Sequence, residues 1–380
     1  MPPAWLEVDL SALVGNWQQL DALAPGAETA GVVKANAYGT GIRRVAPALA
    51  AAGCRTFFTA TLDEALGVRA AVRDARVMVL NGLQAGAEAD YLNHDLTPVL
   101  NSLGDIERWQ KIARFVGHSL AAAIHLDTGM TRLGLLAAET DILAAETERL
   151  DGIDVALWLT HPACADLPGH PLNAAQLEQF RARVARLPAA PLSFCNSPAI
   201  HLGSDYHLDL TRPGVAVYGG NCTPAAAHRM QEVIHLKAKI LQVHHVDTPM
   251  TVGYGATHPV AGPGRLATVG VGYGDGYLRA LSGKAYGILD GHRVPLAGRV
   301  SMDLTTFDIS GVPEDLARPG AEISMIGGGV DIDELAGMAD TISYELLSGM
   351  GPRLPRFYSG EPVAAEAPAA GTPATVGGAG

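Results

Sequence analysis

Val32-Val33-Lys34-Ala35-Asn36-Ala37-Tyr38-Gly39 sets a lone lysine at the end of a β-branched apolar run, with a phenol four residues further on and a glycine behind it. A run of this kind reads as a short, buried parallel strand, and the lysine stands at its mouth. Partial desolvation there favours the neutral amine. A neutral amine can form a Schiff base with a carbonyl cofactor. The octapeptide alone is equally compatible with a structural lysine paired to a carboxylate.

Outward from this segment, short apolar runs alternate with longer Ala- and Leu-rich stretches. Candidate strands are 5–9, 29–34, 56–60, 76–80, 97–100, 120–126, 154–160, 191–195 and 214–218. Helix-start chemistry opens several intervening stretches: Thr61 with Glu64, Ser102 with Asp105, and Asn173 with Gln176. Roughly eight strand–helix units in about 235 residues predict an α/β fold built on an N-terminal (β/α)8 TIM-type barrel. An open doubly wound sheet is the alternative that counting leaves. In a barrel the loops after the strands build the site, which gathers Lys34, 127–132, His161, Asn196, Ser197 and Arg212. Beyond residue 235 helical periodicity fades, and Asp290-Gly291 inside 288–294 signals a two-residue hairpin turn. The expected organisation is a barrel over 1–235, a C-terminal mainly β domain over 236–360, and a flexible tail over 361–380. That tail is rich in Ala, Pro, Gly and Thr and has no aromatic residue.

The chain has 380 residues, 48% of them hydrophobic, enough for more than one folding unit. Lys and Arg total 27 against 39 Asp and Glu, a formal charge of -12, which argues against a nucleic-acid partner. The four cysteines are widely spaced without a CxxC pair and read as reduced thiols. No secretory leader precedes them, and no run approaches the roughly 18 apolar residues of a membrane span. A cytoplasmic protein without membrane contact is expected.

Further segments bear on the lysine. His125-Leu126-Asp127-Thr128-Gly129-Met130-Thr131-Arg132-Leu133-Gly134 leaves a strand through a glycine turn and presents an arginine suited to gripping a carboxylate; a surface arginine is the plainer reading. Asn196-Ser197 and Arg212-Pro213-Gly214-Val215 offer a hydroxyl and backbone amides, a phosphate cradle or ordinary turns. Thr251-Val252-Gly253-Tyr254-Gly255-Ala256-Thr257 holds a tyrosine between glycines, by itself a loop tyrosine as readily as a catalyst.

Together with Gly272-Tyr273-Gly274-Asp275-Gly276-Tyr277 and Ser301-Met302-Asp303, these segments stand in the order found in alanine racemases, and the chain resembles that family from about Trp5 to Tyr358. The resemblance implies that Lys34 holds pyridoxal 5'-phosphate as an internal aldimine. It implies that Tyr38, Ser197, Tyr344 and the amides of Gly214 and Val215 hold the phosphate. Arg212 would face the pyridine nitrogen, disfavour its protonation and make the ring a weaker electron sink. His161 would support that arginine.

Racemisation needs acid/base groups on both faces of the α carbon, and the resemblance assigns these to Lys34, on the D-alanine face, and Tyr254 of a neighbouring subunit, on the L-alanine face. A phenol is a weak base at neutral pH, so that role needs nearby cations. A homodimer with shared active sites follows. Arg132 and the Met302 amide of the other subunit would bind the substrate carboxylate. Asp166, Tyr273, Arg299 and Tyr344 would line an entrance that admits roughly a methyl side chain, so alanine is the expected substrate.

Two positions depart from the family pattern. Many relatives carry a carbamylated lysine where this chain has His125, which cannot supply that anion; activity is therefore expected not to depend on bicarbonate. Thr40 stands where many relatives carry histidine. Competing readings are a broader-specificity racemase or decarboxylase on the same scaffold, and a non-catalytic pyridoxal phosphate carrier, which would need neither Tyr254 nor the second domain. A metal hydrolase on His244 and His245, or on His161 with Asp166, lacks HExxH-type spacing, so no metal is expected.

Overall fold

The structure is a computed structural model that describes residues 2–224, 226 and 229–360; the expected tail 361–380 lies outside the described residues. Seven parallel strands follow one another around a curved sheet: Gly31–Val32, Thr56–Thr59, Arg76–Val79, Leu96–Leu100, Leu120–His125, Ile153–Leu159 and Leu192–Ser193. The eighth, Leu210–Thr211, pairs in parallel with Glu28–Thr29, the first half of the opening strand. It bonds to the seventh through Asp209 N to Leu192 O at 3.0 Å and Arg212 N to Cys195 O at 2.9 Å. Those two seams close the ring into a (β/α)8 barrel.

Two strand expectations are corrected. The run 214–218 is apolar and wholly buried but forms a 3-10 turn, Val215–Tyr218, because the ring is already closed by Leu210–Thr211. The run 5–9 does form a strand, Ala4–Asp9, yet it pairs antiparallel with Ile234–Val246 and in parallel with Arg356–Ser359, not with the barrel. The sheet of the second domain is thus built partly from the start of the chain. Its hub, Ile234–Val246, also pairs with Gly264–Val269 and Glu322–Ile326. The expected hairpin is present, with Tyr286–Leu289 and His292–Pro295 joined through Asp290 and Gly291.

Thr61 and Glu64 form a reciprocal capping box, and Ser102 accepts the Asp105 amide. Asn173 is not a helix start. The helix Pro171–Val184 is capped by His170, and Asn173 lies inside it, donating to Leu167 O at 3.0 Å. Among the described residues no helix is long and apolar enough to cross a membrane, and no cluster of three or more His, Cys, Asp or Glu could hold a metal ion.

Candidate active site

Lys34 follows the opening barrel strand directly, and the chain then makes a left-handed turn. Ala35, Asn36, Ala37 and Tyr38 all have φ between 50° and 55°. Left-handed backbone costs a non-glycine residue about 1–2 kcal/mol, so the turn persists only because its surroundings hold it. The Thr40 hydroxyl donates to Ala37 O, and Asn36 Oδ1 accepts the Ile42 amide at 3.0 Å. The second domain clamps the far side: Arg356 Nε donates to Gly39 O at 2.7 Å and the Tyr358 hydroxyl to Thr40 O at 2.7 Å. Thr40 therefore closes the turn that aims Lys34 and Tyr38.

Both residues face a cavity of about 370 Å³ at the barrel mouth, which Arg132, His161, Ser197, Arg212, Gly214, Val215 and Tyr344 also line. No carboxylate lines it, and among the described residues no ion pair reaches Lys34. Burial first, then the Arg132 guanidinium, lowers the Lys34 pKa from the usual lysine range, while Glu64 opposes the shift. The structural alternative for this lysine, pairing with a carboxylate, is thereby removed.

Arg212 is buried on the cavity floor, where three of its five N–H donors go to Thr160 O at 2.6 Å, Phe194 O at 3.3 Å and the Ser193 hydroxyl. Burial lowers its pKa to about 10, so it stays cationic at neutral pH. His161 is held well below the ordinary histidine pKa, first by burial and then by the Arg212, Arg132 and Lys34 charges. Gln176 braces the His161 loop, donating to His161 O at 3.0 Å and accepting the Ala163 amide at 2.8 Å. On the opposite wall the Ser197 hydroxyl accepts the Gly214 amide at 2.8 Å, and the Tyr38 ring stacks on Tyr218 at 4.6 Å between centroids. Burial raises the Tyr38 and Tyr344 pKa values far above the phenol range, so both stay protonated donors.

The residues expected from a neighbouring subunit do not line this cavity. Tyr254, Tyr273, Arg299 and Met302 are exposed on the second domain. There Tyr273 N bonds to Ser301 O at 3.0 Å and Gly274 N to Met302 O at 2.9 Å, joining their two loops. Gly255, beside Tyr254, lies against Arg299: a Cβ on it would stand 3.0 Å from the Arg299 guanidinium. Asp166 borders an adjoining cleft with Asn221 and Cys222, and its charge helps to raise the Tyr344 pKa. Sequence reading missed Gln176 as a brace and Tyr218 as the stacking partner of Tyr38. Tyr218 sat in a run read as a strand, and nothing local marks either role.

The donor set fits a phosphorylated carbonyl cofactor: an amine biased toward its neutral form, backbone amides and hydroxyls on one wall, a fixed guanidinium on the floor and no competing anion. The comparisons agree. Residues 8–222 match the model for the alanine racemase N-terminal domain and 233–358 that for the C-terminal domain. The chain is 51% identical over 359 residues to the alanine racemase of Rhodospirillum rubrum, covering 94% of this chain and 96% of that one. It is 45% identical over 354 residues to a catabolic alanine racemase of Agrobacterium fabrum, covering 93% and 91%. Its fold matches the crystal structure of alanine racemase from Bartonella henselae with covalently bound pyridoxal phosphate, with a TM-score of 0.90 and 34% identity over 94% of this chain and 100% of that one. The chain belongs to the alanine racemase family of pyridoxal phosphate-dependent isomerases.

Proposed function

We propose that the chain interconverts L- and D-alanine with Lys34 and Tyr254 as the two acid/base groups, Tyr254 coming from the second subunit of a homodimer. The observation that carries this reading is the cavity itself, where a desolvated lysine shares a carboxylate-free wall with two arginines. Bound pyridoxal phosphate supplies a carbonyl that takes up the substrate amine and a conjugated ring that acidifies the α carbon. Lys34 would hold the cofactor and would take or give a proton at the α carbon on the D-alanine face. Tyr254 does the same on the L-alanine face.

Ser197, Tyr38 and Tyr344 would hold the phosphate together with the Gly214 and Val215 amides. Arg212 offers only N–H donors and would keep a proton off the ring nitrogen of the bound cofactor, with His161 lining the same cavity. Arg132 and the partner's Met302 amide bind the substrate carboxylate. Lys34 is the only lining residue whose amine is biased toward the free base, and a single base cannot serve both faces. The exposed strip bearing Tyr254, Tyr273, Arg299 and Met302 provides the missing half when it covers the barrel mouth of another copy. Tyr273, Arg299 and Asp166 then bound the entrance. We place the barrel at 1–235, apart from the opening strand Ala4–Asp9 that joins the sheet of the second domain, that domain at 236–360 and the protein in the cytoplasm, making or consuming D-alanine, a peptidoglycan precursor.

Borohydride reduction followed by peptide mapping tests the cofactor assignment: a phosphopyridoxyl adduct is expected on Lys34. Racemisation assays on alanine, serine, lysine and arginine test the substrate. Alanine should dominate; comparable rates on the longer amino acids would instead favour the broader-specificity enzyme, and no racemisation with cofactor bound would favour the carrier.

A further inference from the structure

His125 ends the strand Leu120–His125 with its ring in the cavity wall, 7% exposed. Its tautomer follows from its neighbour. Asn101 donates both amide protons to carbonyls, at 3.1 Å to Leu80 O and 2.9 Å to Val99 O, so the Asn101 oxygen is the atom that faces His125 Nδ1 at 3.0 Å. An amide oxygen only accepts, hence Nδ1 bears the proton and Nε2 presents a lone pair. Among the described residues that buried lone pair has no hydrogen-bond partner. A buried acceptor without a donor is costly, and the working site is where a donor should meet it.

The chain itself brings a donor close. After Asp127 it turns back, Leu135 N bonding to His125 O at 2.8 Å and Asp127 N to Leu135 O at 2.9 Å. This lays Gly134 on the imidazole so closely that a Cβ there would stand 2.9 Å from His125 Cγ. Arg132, two residues earlier in the same return loop, lines the cavity with His125. Among the described residues nothing hydrogen-bonds to the Arg132 guanidinium. Arg212 is a weaker candidate, because three of its five N–H donors anchor it to Thr160, Phe194 and Ser193.

We propose that His125 is a positioning residue whose Nε2 accepts an N–H of Arg132 and turns the remaining guanidinium donors toward the substrate carboxylate. This rests on the reading of Arg132 as the carboxylate-binding residue. Burial, with the Arg212 charge second, lowers the His125 pKa to about 4, so the ring stays a neutral acceptor at working pH. A neutral acceptor fixes Arg132 without cancelling its charge, which remains available to the substrate.

His125→Leu removes the acceptor, and His125→Gln retains one. In the holoenzyme, His125→Leu should raise KM for both alanine enantiomers about ten- to a hundredfold with kcat changed less than about threefold, and His125→Gln should recover most of the loss. A second readout needs no turnover: the Nε2 resonance of His125 in 15N-histidine-labelled holoenzyme should move toward that of a free lone pair on Arg132→Ala. An unchanged KM in His125→Leu, a Gln variant as poor as the Leu variant, or an Nε2 resonance indifferent to Arg132→Ala would each overturn the proposal. Failure of the wild-type protein to racemise alanine would instead overturn the functional reading, leaving the resonance test of the contact intact.

Discussion

The Gly214 amide donates a 2.8 Å hydrogen bond to the Ser197 hydroxyl oxygen, and the Tyr38 phenol presses on the same glycine so closely that a Cβ there would stand 2.2 Å from the phenol oxygen. Tyr38, distant in sequence, and Ser197 thus converge on one glycine. The Tyr38 contact is enough by itself to exclude a side chain at Gly214. Gly214→Ala should push Tyr38 out of the proposed phosphate cradle and weaken pyridoxal phosphate binding about tenfold or more while the barrel stays folded. Titration of the apoprotein with cofactor, followed by absorbance, checks this.

Acid should destabilise the protein before its carboxylates titrate. His125, lowered to about 4, and His161, lowered well below 6.5, are both neutral when folded, whereas unfolded histidines protonate near pH 6.5. Between those values the unfolded chain binds more protons, so stability is present above about pH 6.5 and is lost as pH falls toward 4, at about 1.4 kcal/mol per pH unit for each histidine. Urea midpoints of the apoprotein from pH 7.5 to 4.5 should fall accordingly, with partly buried His201 adding to the slope, and His125→Gln should make it shallower.

Much of this was readable in the sequence where chemistry is local. The strands after Thr56, Arg76, Leu96, Leu120 and Ile153 announce themselves by apolar runs, and the Lys34, Arg132, Ser197 and Arg212 segments fall at strand ends, which is why they converge on one cavity. What was hidden depends on distant contacts. Val215 to Tyr218 has the composition of a strand, but the two-residue strand Leu210–Thr211 had already closed the ring. The left-handed turn after Lys34 contradicts the preferences of two alanines and a tyrosine and exists because Arg356 and Tyr358, some 318 positions away, hold its carbonyls. The orphan Nε2 of His125 is a property of Asn101 and its two carbonyl partners, invisible until the barrel is assembled.

Bicarbonate should make no difference. A lysine amine can take up carbon dioxide to become an anion, but an imidazole with Nδ1 bound to Asn101 has no such route. Racemisation in carbon dioxide-free buffer should match that in buffer with added bicarbonate; a reversible loss on its removal would show that another group near Arg132 is being carbamylated.

Size selection should sit on the second domain. Tyr273 is exposed on the loop that Gly274 N ties to Met302 O, and Asp275 of that loop accepts Arg353 Nε at 2.9 Å. The phenol is therefore carried on a braced support. Tyr273→Ala should raise kcat/KM for serine and lysine relative to alanine by about tenfold, since a few methylenes of space are worth that much in an apolar entrance. An unchanged substrate ratio would remove Tyr273 from the entrance.

The proposed sharing of sites between subunits predicts a quantitative outcome. Lys34 lies in the barrel cavity and Tyr254 on the exposed strip of the second domain, and the proposed two-fold dimer would pair each lysine with the tyrosine of the other chain. Lys34→Ala and Tyr254→Phe proteins should each be inactive as separate dimers. Mixed and re-equilibrated, half of the dimers are hybrids, and each hybrid has one site with both residues intact and one site with neither. About a quarter of the wild-type activity per site should return. If each chain supplied both groups to its own site, no mixture would recover anything, because every site would still lack either the amine or the phenol.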